Sequence, residues 1–299
     1  MSGKTRVARP AVNFSPDTCL PAAIPAPQAG SAGPPRPDDK SSYSNRVEFE
    51  KRYLALGDSF TEGVGDDDPT RPNGVRGWAD RVAEQLCAAD PAWGYANLAI
   101  RGKKIRQVID EQLEAALALQ PTLVTLYAGG NDILRPRVDI DALMAGYDDM
   151  VARLRASGAA VVLFTGFDSL ASAVFGTTRG RTAIYNEWVR EAADRHGAAI
   201  ADYWRWREFS DLRFWAQDRL HMGTPGHVLM AKKVLGVLEA TDAIETPELE
   251  RVPARSRRAR MQEDARWARE HVVPWVKRRL TGTSSGDSLS PRYPGYVRL

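Results

Sequence analysis

The stretch "YLALGDSFTEGVG", residues 53–65, joins a short apolar run to a series of small and acidic residues. The apolar run YLAL at its start predicts a buried strand, and the small residues that follow predict a turn at the rim of a sheet. Ser59 is therefore a candidate nucleophile, although Asp58 or Ser59 could equally cap a following helix. Neither G-x-G-x-x-G nor Gly-Lys-Ser/Thr occurs within residues 53–65, which argues against a dinucleotide loop or a phosphate loop after this strand.

Four further apolar runs follow, and segments with helical spacing separate them. They are "YANLAI" (95–100), "TLVTLYAGG" (122–130), "AAVVLFTGF" (159–167) and "AAIADYW" (198–204). Strands that alternate with helices predict crossover connections and a parallel sheet. The pattern therefore predicts an α/β fold with five parallel strands.

The two ends of the chain differ in composition from its middle. Residues 1–48 are rich in Pro, Gly, Ala and Ser and lack apolar periodicity, which predicts a disordered leader ahead of a globular domain at 49–240. Residues 241–299 form a basic extension with twelve Lys and Arg against eight Asp and Glu. We expect a helix there whose apolar face, with Trp267 and Trp275, either docks on the domain or contacts a membrane surface or a partner. The final residues, 283–299, are expected to be loose.

Composition and charge narrow the class of protein. The chain has 43% hydrophobic and 26% charged residues and a formal net charge of +3, which is ordinary for a globular protein and gives no reason to expect nucleic-acid binding. Prolines interrupt the N-terminal region, and no apolar segment is long enough for a membrane span. With only two cysteines, these features favour a cytoplasmic protein without stable membrane insertion, and they leave its oligomeric state unknown.

The stretch "DRLHMGTPGH", residues 218–227, places Asp218 three residues before His221. A serine hydroxyl needs a neighbouring imidazole to accept its proton, and that imidazole needs a carboxylate to hold its tautomer. Of the four histidines, His196 lies beside a helix end, His271 lies in the extension and His227 opens the last helix of the domain. His221 is therefore the candidate base and Asp218 its partner, although such pairs also occur as surface capping groups.

Two more loops follow predicted strands. "NLAIRGKKI" (97–105) offers the backbone N–H of Gly102, and "AGGND" (128–132) offers the side-chain amide of Asn131. Acyl transfer builds negative charge on a carbonyl oxygen, which such donors stabilise. Taken separately, both are unremarkable loop sequences. Together they place donors, nucleophile and base at one edge of one sheet.

These four blocks, in this order, resemble the SGNH (GDSL) hydrolases over roughly Tyr53 to Ala240. The resemblance implies a flavodoxin-like, three-layer α/β/α sandwich with a five-stranded parallel sheet. It implies Ser59 as nucleophile, His221 as general base and later acid, and Asp218 as the partner that orients His221. The implied oxyanion hole consists of the Ser59 N–H, the Gly102 N–H and the Asn131 side chain. Asp58 and Asp132 are then expected to shape loops.

The implied function is ester hydrolysis through an acyl-enzyme on a small-molecule ester, with no metal or other cofactor. Acyl transfer and thioester hydrolysis on the same site are alternatives, as is a non-catalytic binding module. The acidic run "GDDD" (65–68) lacks the spacing of a calcium loop and predicts a solvated loop. Phe60 and Trp78 are candidates for an acyl pocket, although Trp78 could equally be a packing residue. The loops 132–140 and 168–180 would set the width of the pocket.

Overall fold

The apolar run at residues 53–57 lies in a central strand of a six-stranded sheet. The strands are β1 (Lys51–Gly57), β2 (Trp93–Asn97), β3 (Leu123–Tyr127), β4 (Ala160–Phe164), β5 (Ala199–Ala201) and β6 (Tyr293–Val297). Their order is β5-β4-β3-β1-β2-β6, and β1 to β5 pair in parallel, as predicted. β2 lies on one side of β1 and β3 on the other, so the direction in which successive strands are added to the sheet reverses beside β1. In open α/β sheets, ligands bind at such a reversal, beyond the carboxyl ends of the strands.

This computed structural model describes residues 49–169, 175–249, 256–273 and 284–299. The predicted leader at 1–48 and the part of the predicted C-terminal helix that contains Trp275 lie outside the described residues. Residues Glu48–Leu299 form a single compact unit. Within the ranges given, no helix has the length and apolar character that a bilayer crossing requires.

Helices cover both faces of the sheet. They are α1 (Ser59–Glu62), α2 (Gly77–Ala89), α3 (Ile105–Val108), α4 (Glu114–Ala118), α5 (Gly130–Ile133), α6 (Ile140–Ala156), α7 (Arg179–His196), α8 (Thr224–Val237) and α9 (Arg257–Trp267). A π-helical turn, Ile109–Leu113, joins α3 to α4. Successive residues of β1 face opposite cores: Leu54 belongs to the core that includes α3, α6 and α7, whereas Tyr53 belongs to the core that includes α2 and α8. The predicted three-layer sandwich is confirmed.

The C-terminal residues that were predicted to be loose instead form β6, so the prediction is wrong for residues 284–299. β6 pairs antiparallel with β2, and the Tyr293 ring packs against that of Tyr95 with 5.5 Å between the ring centroids. The five parallel strands are thus joined by a sixth strand that covers the edge of β2. Its sequence, YPGYV, contains proline and glycine, which normally argue against a strand but are tolerated at a sheet edge.

Helix α9 lies against the loop that carries Asp218 and His221. Arg219 in that loop pairs with Asp264 of α9 at 2.6 Å, and its guanidinium stacks 5.0 Å from the ring centroid of Trp267. Of the two expectations for the apolar face of this helix, docking on the domain is therefore observed for Trp267.

Candidate active site

Ser59 lies directly beyond the carboxyl end of β1, as the first residue of α1. The turn before it requires glycine, because Gly57 has φ +143° and a Cβ there would lie 2.1 Å from the Tyr127 carbonyl oxygen. The Gln112 amide holds this turn from the π-helical segment: it donates to the Gly57 carbonyl at 2.8 Å and accepts from the Gly57 N–H at 3.0 Å. A fixed strand end therefore carries the Ser59 hydroxyl.

Asp218, His221 and Ser59 form one chain of hydrogen bonds. The Asp218 Oδ2 accepts from His221 Nδ1 at 2.6 Å, and His221 Nε2 lies 3.1 Å from Ser59 Oγ. The other oxygen of Asp218 accepts the backbone N–H groups of Leu220 and His221, each at 3.0 Å. Because the Asp218 carboxylate accepts a hydrogen bond from Nδ1–H, the proton of the neutral ring stays on Nδ1 and Nε2 is free to accept the serine proton. The structure thus brings together the three residues that the sequence predicted.

Electrostatics favour an ionised Asp218. Burial favours the neutral carboxyl, but the hydrogen bond and positive charge of His221, together with two backbone N–H donors, lower the pKa of Asp218 to about 2. The carboxylate therefore remains charged throughout the pH range in which most proteins are folded.

The predicted oxyanion donors lie at neighbouring strand ends. Gly102 follows β2 and has φ +82°, a conformation that favours glycine. Within the ranges that the structure describes, the N–H groups of Ser59 and Gly102 have no hydrogen-bond partner. For Ser59 this follows from its place at the start of a helix, where backbone donors lack intrahelical acceptors. Both groups can therefore accept a new partner.

Asn131 lies in α5, beyond the end of β3, and lines the same pocket as Ser59. Its side-chain nitrogen donates to the Lys103 carbonyl at 3.0 Å and to Asp58 Oδ2 at 3.2 Å. These bonds hold the amide between the β1 loop and the β2 loop. Donation to a substrate oxygen would require one of them to be shared or released.

Asp58 and Asp132 shape loops, as the resemblance implied. Asp58 caps α1 by accepting the Phe60 N–H at 3.1 Å, and Asp132 accepts the Ile105 N–H at the start of α3 at 3.0 Å. Burial raises the pKa of both carboxyls, and that of Asp58 reaches about 7. Asp58 therefore orients Asn131 and α1 without touching the Ser59 hydroxyl.

The other histidines do not contact Ser59. His227 is fully buried, accepts the Trp78 N–H on Nδ1 at 3.1 Å and donates from Nε2 to the Val64 carbonyl at 3.2 Å. Burial lowers its pKa to about 4, so it is a neutral structural residue near neutral pH. His196 ends α7 beside Asp148, and His271 follows α9.

A largely apolar pocket adjoins Ser59 and His221. Its apolar lining comprises Phe60, Val64, Tyr127, Ile133, Leu134, Phe167, Phe175, Tyr203, Trp215, Leu220 and Met222. Both loops that were expected to set its width contribute to this lining. Of the two predicted aromatic residues, Phe60 lines the pocket, whereas Trp78 is buried in the core, with its indole N–H donating to the Phe60 carbonyl at 2.9 Å. Apart from Asp58 and His221, none of the lining residues is an aspartate, glutamate, histidine, lysine or arginine.

Two buried residues behind the site were not predicted from the sequence. Glu62 accepts the Arg101 backbone N–H at 2.6 Å and pairs with the Arg101 guanidinium, also at 2.6 Å. Gln112 holds Gly57 from a segment 55 residues away. Glu62 lies inside the motif around Ser59, so its position was a usable signal, but nothing in the local pattern marks Gln112.

The acidic run at 65–68 is only partly solvated. Asp66 is buried, pairs with Arg81 at 2.8 Å and accepts the Gly77 N–H at 3.0 Å, whereas Asp67 is exposed. The prediction of a solvated loop is therefore wrong for Asp66, because the ion pair compensates its burial. Across the described ranges, no group of three or more acidic, histidine or cysteine side chains could hold a metal ion.

Comparisons with known proteins agree with this architecture. A sequence model of the GDSL-like Lipase/Acylhydrolase family matches residues 55–229. No curated protein sequence matches the chain. Among solved structures, an α/β hydrolase enzyme from the metagenome of Lake Arreo, Spain, is 21% identical, covering 64% of this chain and 96% of that one with a TM-score of 0.55.

Two esterases share the same fold. The acetylxylan esterase Axe2 from Geobacillus stearothermophilus is 18% identical, covering 67% of this chain and 99% of its own with a TM-score of 0.53. The psychrotrophic esterase EstA from Pseudoalteromonas sp. is 15% identical, covering 64% and 97% with a TM-score of 0.52. The family match spans more than half of the sequence and includes the segments of Ser59, Gly102, Asn131 and His221. The chain therefore belongs to the GDSL-like lipase and acylhydrolase family and is a hydrolase of ester bonds.

Proposed function

We propose that the protein is a serine carboxylesterase or acylhydrolase that works through an acyl-enzyme on Ser59. The observation that carries this proposal is the continuous hydrogen-bond chain from Asp218 through His221 to Ser59, at the wall of an apolar pocket. A nucleophile, a base and a group that orients the base, all within hydrogen-bond reach, are the requirements of acyl transfer.

The reaction has two similar steps. The Ser59 hydroxyl gives its proton to His221 Nε2 as its oxygen attacks the ester carbonyl, and the new tetrahedral oxyanion is held by the N–H groups of Ser59 and Gly102 with the Asn131 amide. His221 then protonates the leaving alcohol as the bond between the carbonyl carbon and the alkoxy oxygen breaks. Water, deprotonated by His221, attacks the acyl-enzyme and releases the carboxylic acid, and Ser59 regains its proton.

The lining of the pocket indicates the acyl group. Aromatic and aliphatic side chains surround the space beside Ser59, and transfer of apolar surface into such a pocket is favourable. We propose a neutral, apolar acyl group, from butyryl upward in length, in preference to acetyl or to a charged acyl group. We further propose that residues 49–240 form the catalytic domain and that the enzyme acts in the cytoplasm.

The test compares wild type, Ser59→Ala and Ser157→Ala on p-nitrophenyl acetate, butyrate and octanoate, with a chelator present throughout. Ser157 directly follows α6, does not line the pocket, and its hydroxyl donates to the Leu154 carbonyl at 2.7 Å. We expect Ser59→Ala to lose at least a thousandfold in kcat, and Ser157→Ala to match the wild type. A phosphonate ester reagent should add its mass to the wild type and to Ser157→Ala, but not to Ser59→Ala.

Equal turnover by wild type and Ser59→Ala would overturn the serine mechanism. Labelling of Ser59 without hydrolysis would point to acyl transfer, which an added acceptor alcohol would then reveal as a new ester. Absence of both labelling and turnover would leave a binding module.

A further inference from the structure

The C-terminal segment at residues 284–292 lies directly on the turn that presents Gly102. The Ser284 hydroxyl donates to the Arg101 carbonyl at 3.2 Å. A Cβ at Gly102 would lie 2.0 Å from Ser284 Oγ, and a Cβ at Gly286 would lie 2.2 Å from the Arg101 carbonyl oxygen. The two segments therefore meet so closely that each requires glycine at the contact.

The Arg101 carbonyl and the Gly102 N–H belong to one peptide unit. That unit is planar and trans, so its C=O and N–H point in opposite directions and turn together. A bond that fixes the carbonyl therefore also fixes the direction of the Gly102 N–H. Donation to the carbonyl also polarises the amide, which makes its N–H a stronger donor.

The orientation of the Ser284 hydroxyl is determined by its neighbours. Its oxygen accepts the Gly286 N–H at 3.1 Å, which leaves its own proton to point to the Arg101 carbonyl. Asp287 Oδ2 accepts the Ser284 backbone N–H at 2.8 Å and closes this small turn. The hydroxyl is thus presented by a local structure rather than by a free side chain.

The other side of Arg101 is held independently. Glu62, fully buried, accepts the Arg101 N–H at 2.6 Å, so the residue before Gly102 is fixed at both its N–H and its C=O. The segment that carries Ser284 is itself anchored by Arg292, which forms a buried ion pair with Asp80 at 2.7 Å.

We propose that Ser284 is a positioning residue of the oxyanion hole: its hydroxyl holds the Arg101–Gly102 peptide so that the Gly102 N–H points to the substrate oxyanion. This inference rests on the proposed function. Ser284 lies 55 residues beyond the end of the family match at residue 229, so this chain supplies the contact from outside the matched region. Since the oxyanion exists only in the transition state and the tetrahedral intermediate, the contact should act on kcat rather than on KM.

The experiment measures kcat and KM for p-nitrophenyl butyrate with the full-length wild type, Ser284→Ala, Ser284→Thr and the exposed control Ser288→Ala. Loss of an oxyanion donor itself costs about 10²–10³-fold in kcat, so loss of its support should cost roughly tenfold. We expect this loss in Ser284→Ala with KM within about twofold, partial recovery in Ser284→Thr, which keeps the hydroxyl, and no change in Ser288→Ala. A boronic acid that mimics the tetrahedral intermediate should lose affinity by the same factor as kcat/KM.

Thermal melting of each variant separates this role from a loss of folding, because Ser284→Ala should melt within a few degrees of the wild type. Two results would overturn the inference while Ser59-dependent turnover persists. One is a wild-type kcat in Ser284→Ala; the other is a KM that rises by the same factor as the boronate affinity falls, because substrate and tetrahedral mimic would then be weakened equally. A wild type without Ser59-dependent turnover would overturn the proposed function, and this inference with it.

Discussion

Asp58 shows how one buried carboxyl couples the site to pH. Its two oxygens accept from the Phe60 N–H and the Asn131 amide, and burial raises its pKa to about 7 despite these bonds. Below the unfolded pKa of about 3.8 the carboxyl is neutral in both states, and no penalty arises. Between pH 3.8 and about 7 the unfolded chain ionises while the folded protein keeps the proton, so the free energy of unfolding falls as the pH rises. Above pH 7 the folded protein holds a buried charge, and the contribution of Asp58 to stability has been lost.

Replacement of Asp58 by Asn should remove this dependence. A shift from 3.8 to about 7 corresponds to roughly 4 kcal/mol, so the free energy of unfolding of Asp58→Asn should gain about that much relative to wild type between pH 4 and pH 8. Urea unfolding at both pH values measures the gain, and exposed Asp67→Asn serves as the control that should follow the wild type. A constant difference between Asp58→Asn and wild type across this range would contradict the assignment.

At the scale of elements, β6 depends on one buried arginine. Arg292 donates to both carboxylate oxygens of Asp80, at 2.8 and 2.7 Å. It also donates to the backbone carbonyls of Glu62, the last residue of α1, and of Pro72, Val75 and Arg76 in the loop between α1 and α2. Burial raises the pKa of Asp80 to about 6 even with Arg292 beside it. The arginine thus joins the strand to the loop behind the active site.

Arg292→Ala should cost about 3–5 kcal/mol in the free energy of unfolding at pH 8, because it leaves the Asp80 charge buried and unpaired. Arg298, one residue beyond β6, is exposed and bonds to the Pro91 carbonyl at 2.7 Å, so Arg298→Ala should change stability by no more than about 1 kcal/mol. Urea denaturation of the two variants makes the comparison. Similar losses in the free energy of unfolding for both variants would show that the buried ion pair stabilises the fold no more than the exposed arginine does.

At the scale of the whole molecule, the parallel sheet gathers the site and the C-terminal extension supports it. The predicted nucleophile, donors and base follow different strands, and the sheet brings their carboxyl ends to one edge. The extension then contacts two of these loops: α9 reaches the Asp218–His221 loop through Arg219, and the last segment reaches the Arg101–Gly102 turn.

Deletion of residues 284–299 should therefore affect both stability and catalysis. The shortened chain loses the Arg292 ion pair and the strand that covers β2, so its melting temperature should fall by at least about 6 °C, at 2–4 °C per kcal/mol. Its kcat should fall at least as far as that of Ser284→Ala. Scanning calorimetry and the butyrate assay measure the two effects, and circular dichroism checks that the shortened chain is folded. Unchanged melting and turnover would show that the segment is dispensable.

The sequence alone determined the five parallel strands, the helices between them and the residues expected at the site. These features follow from patterns within a single segment: apolar runs that end in glycine, helical spacing, and short blocks such as Asp218-x-x-His221. Parallel strands that are joined by helical crossovers can adopt only a few sheet topologies. In each of them the sequence blocks that follow the strands lie at the edge formed by the carboxyl ends of the strands.

Only the tertiary structure decided which residues support that edge. Three contacts join positions about 180 to 210 residues apart: the pairing of β6 with β2, the Arg292–Asp80 ion pair and the contact of Ser284 with Arg101. The sequence of β6 itself, with its proline and glycine, argues against a strand. It also placed Phe60 in the pocket and Trp78 in the core, although both are aromatic and close in sequence. Local propensity carries no information on such contacts, because their free energy arises from burial and pairing that exist only once the chain has folded.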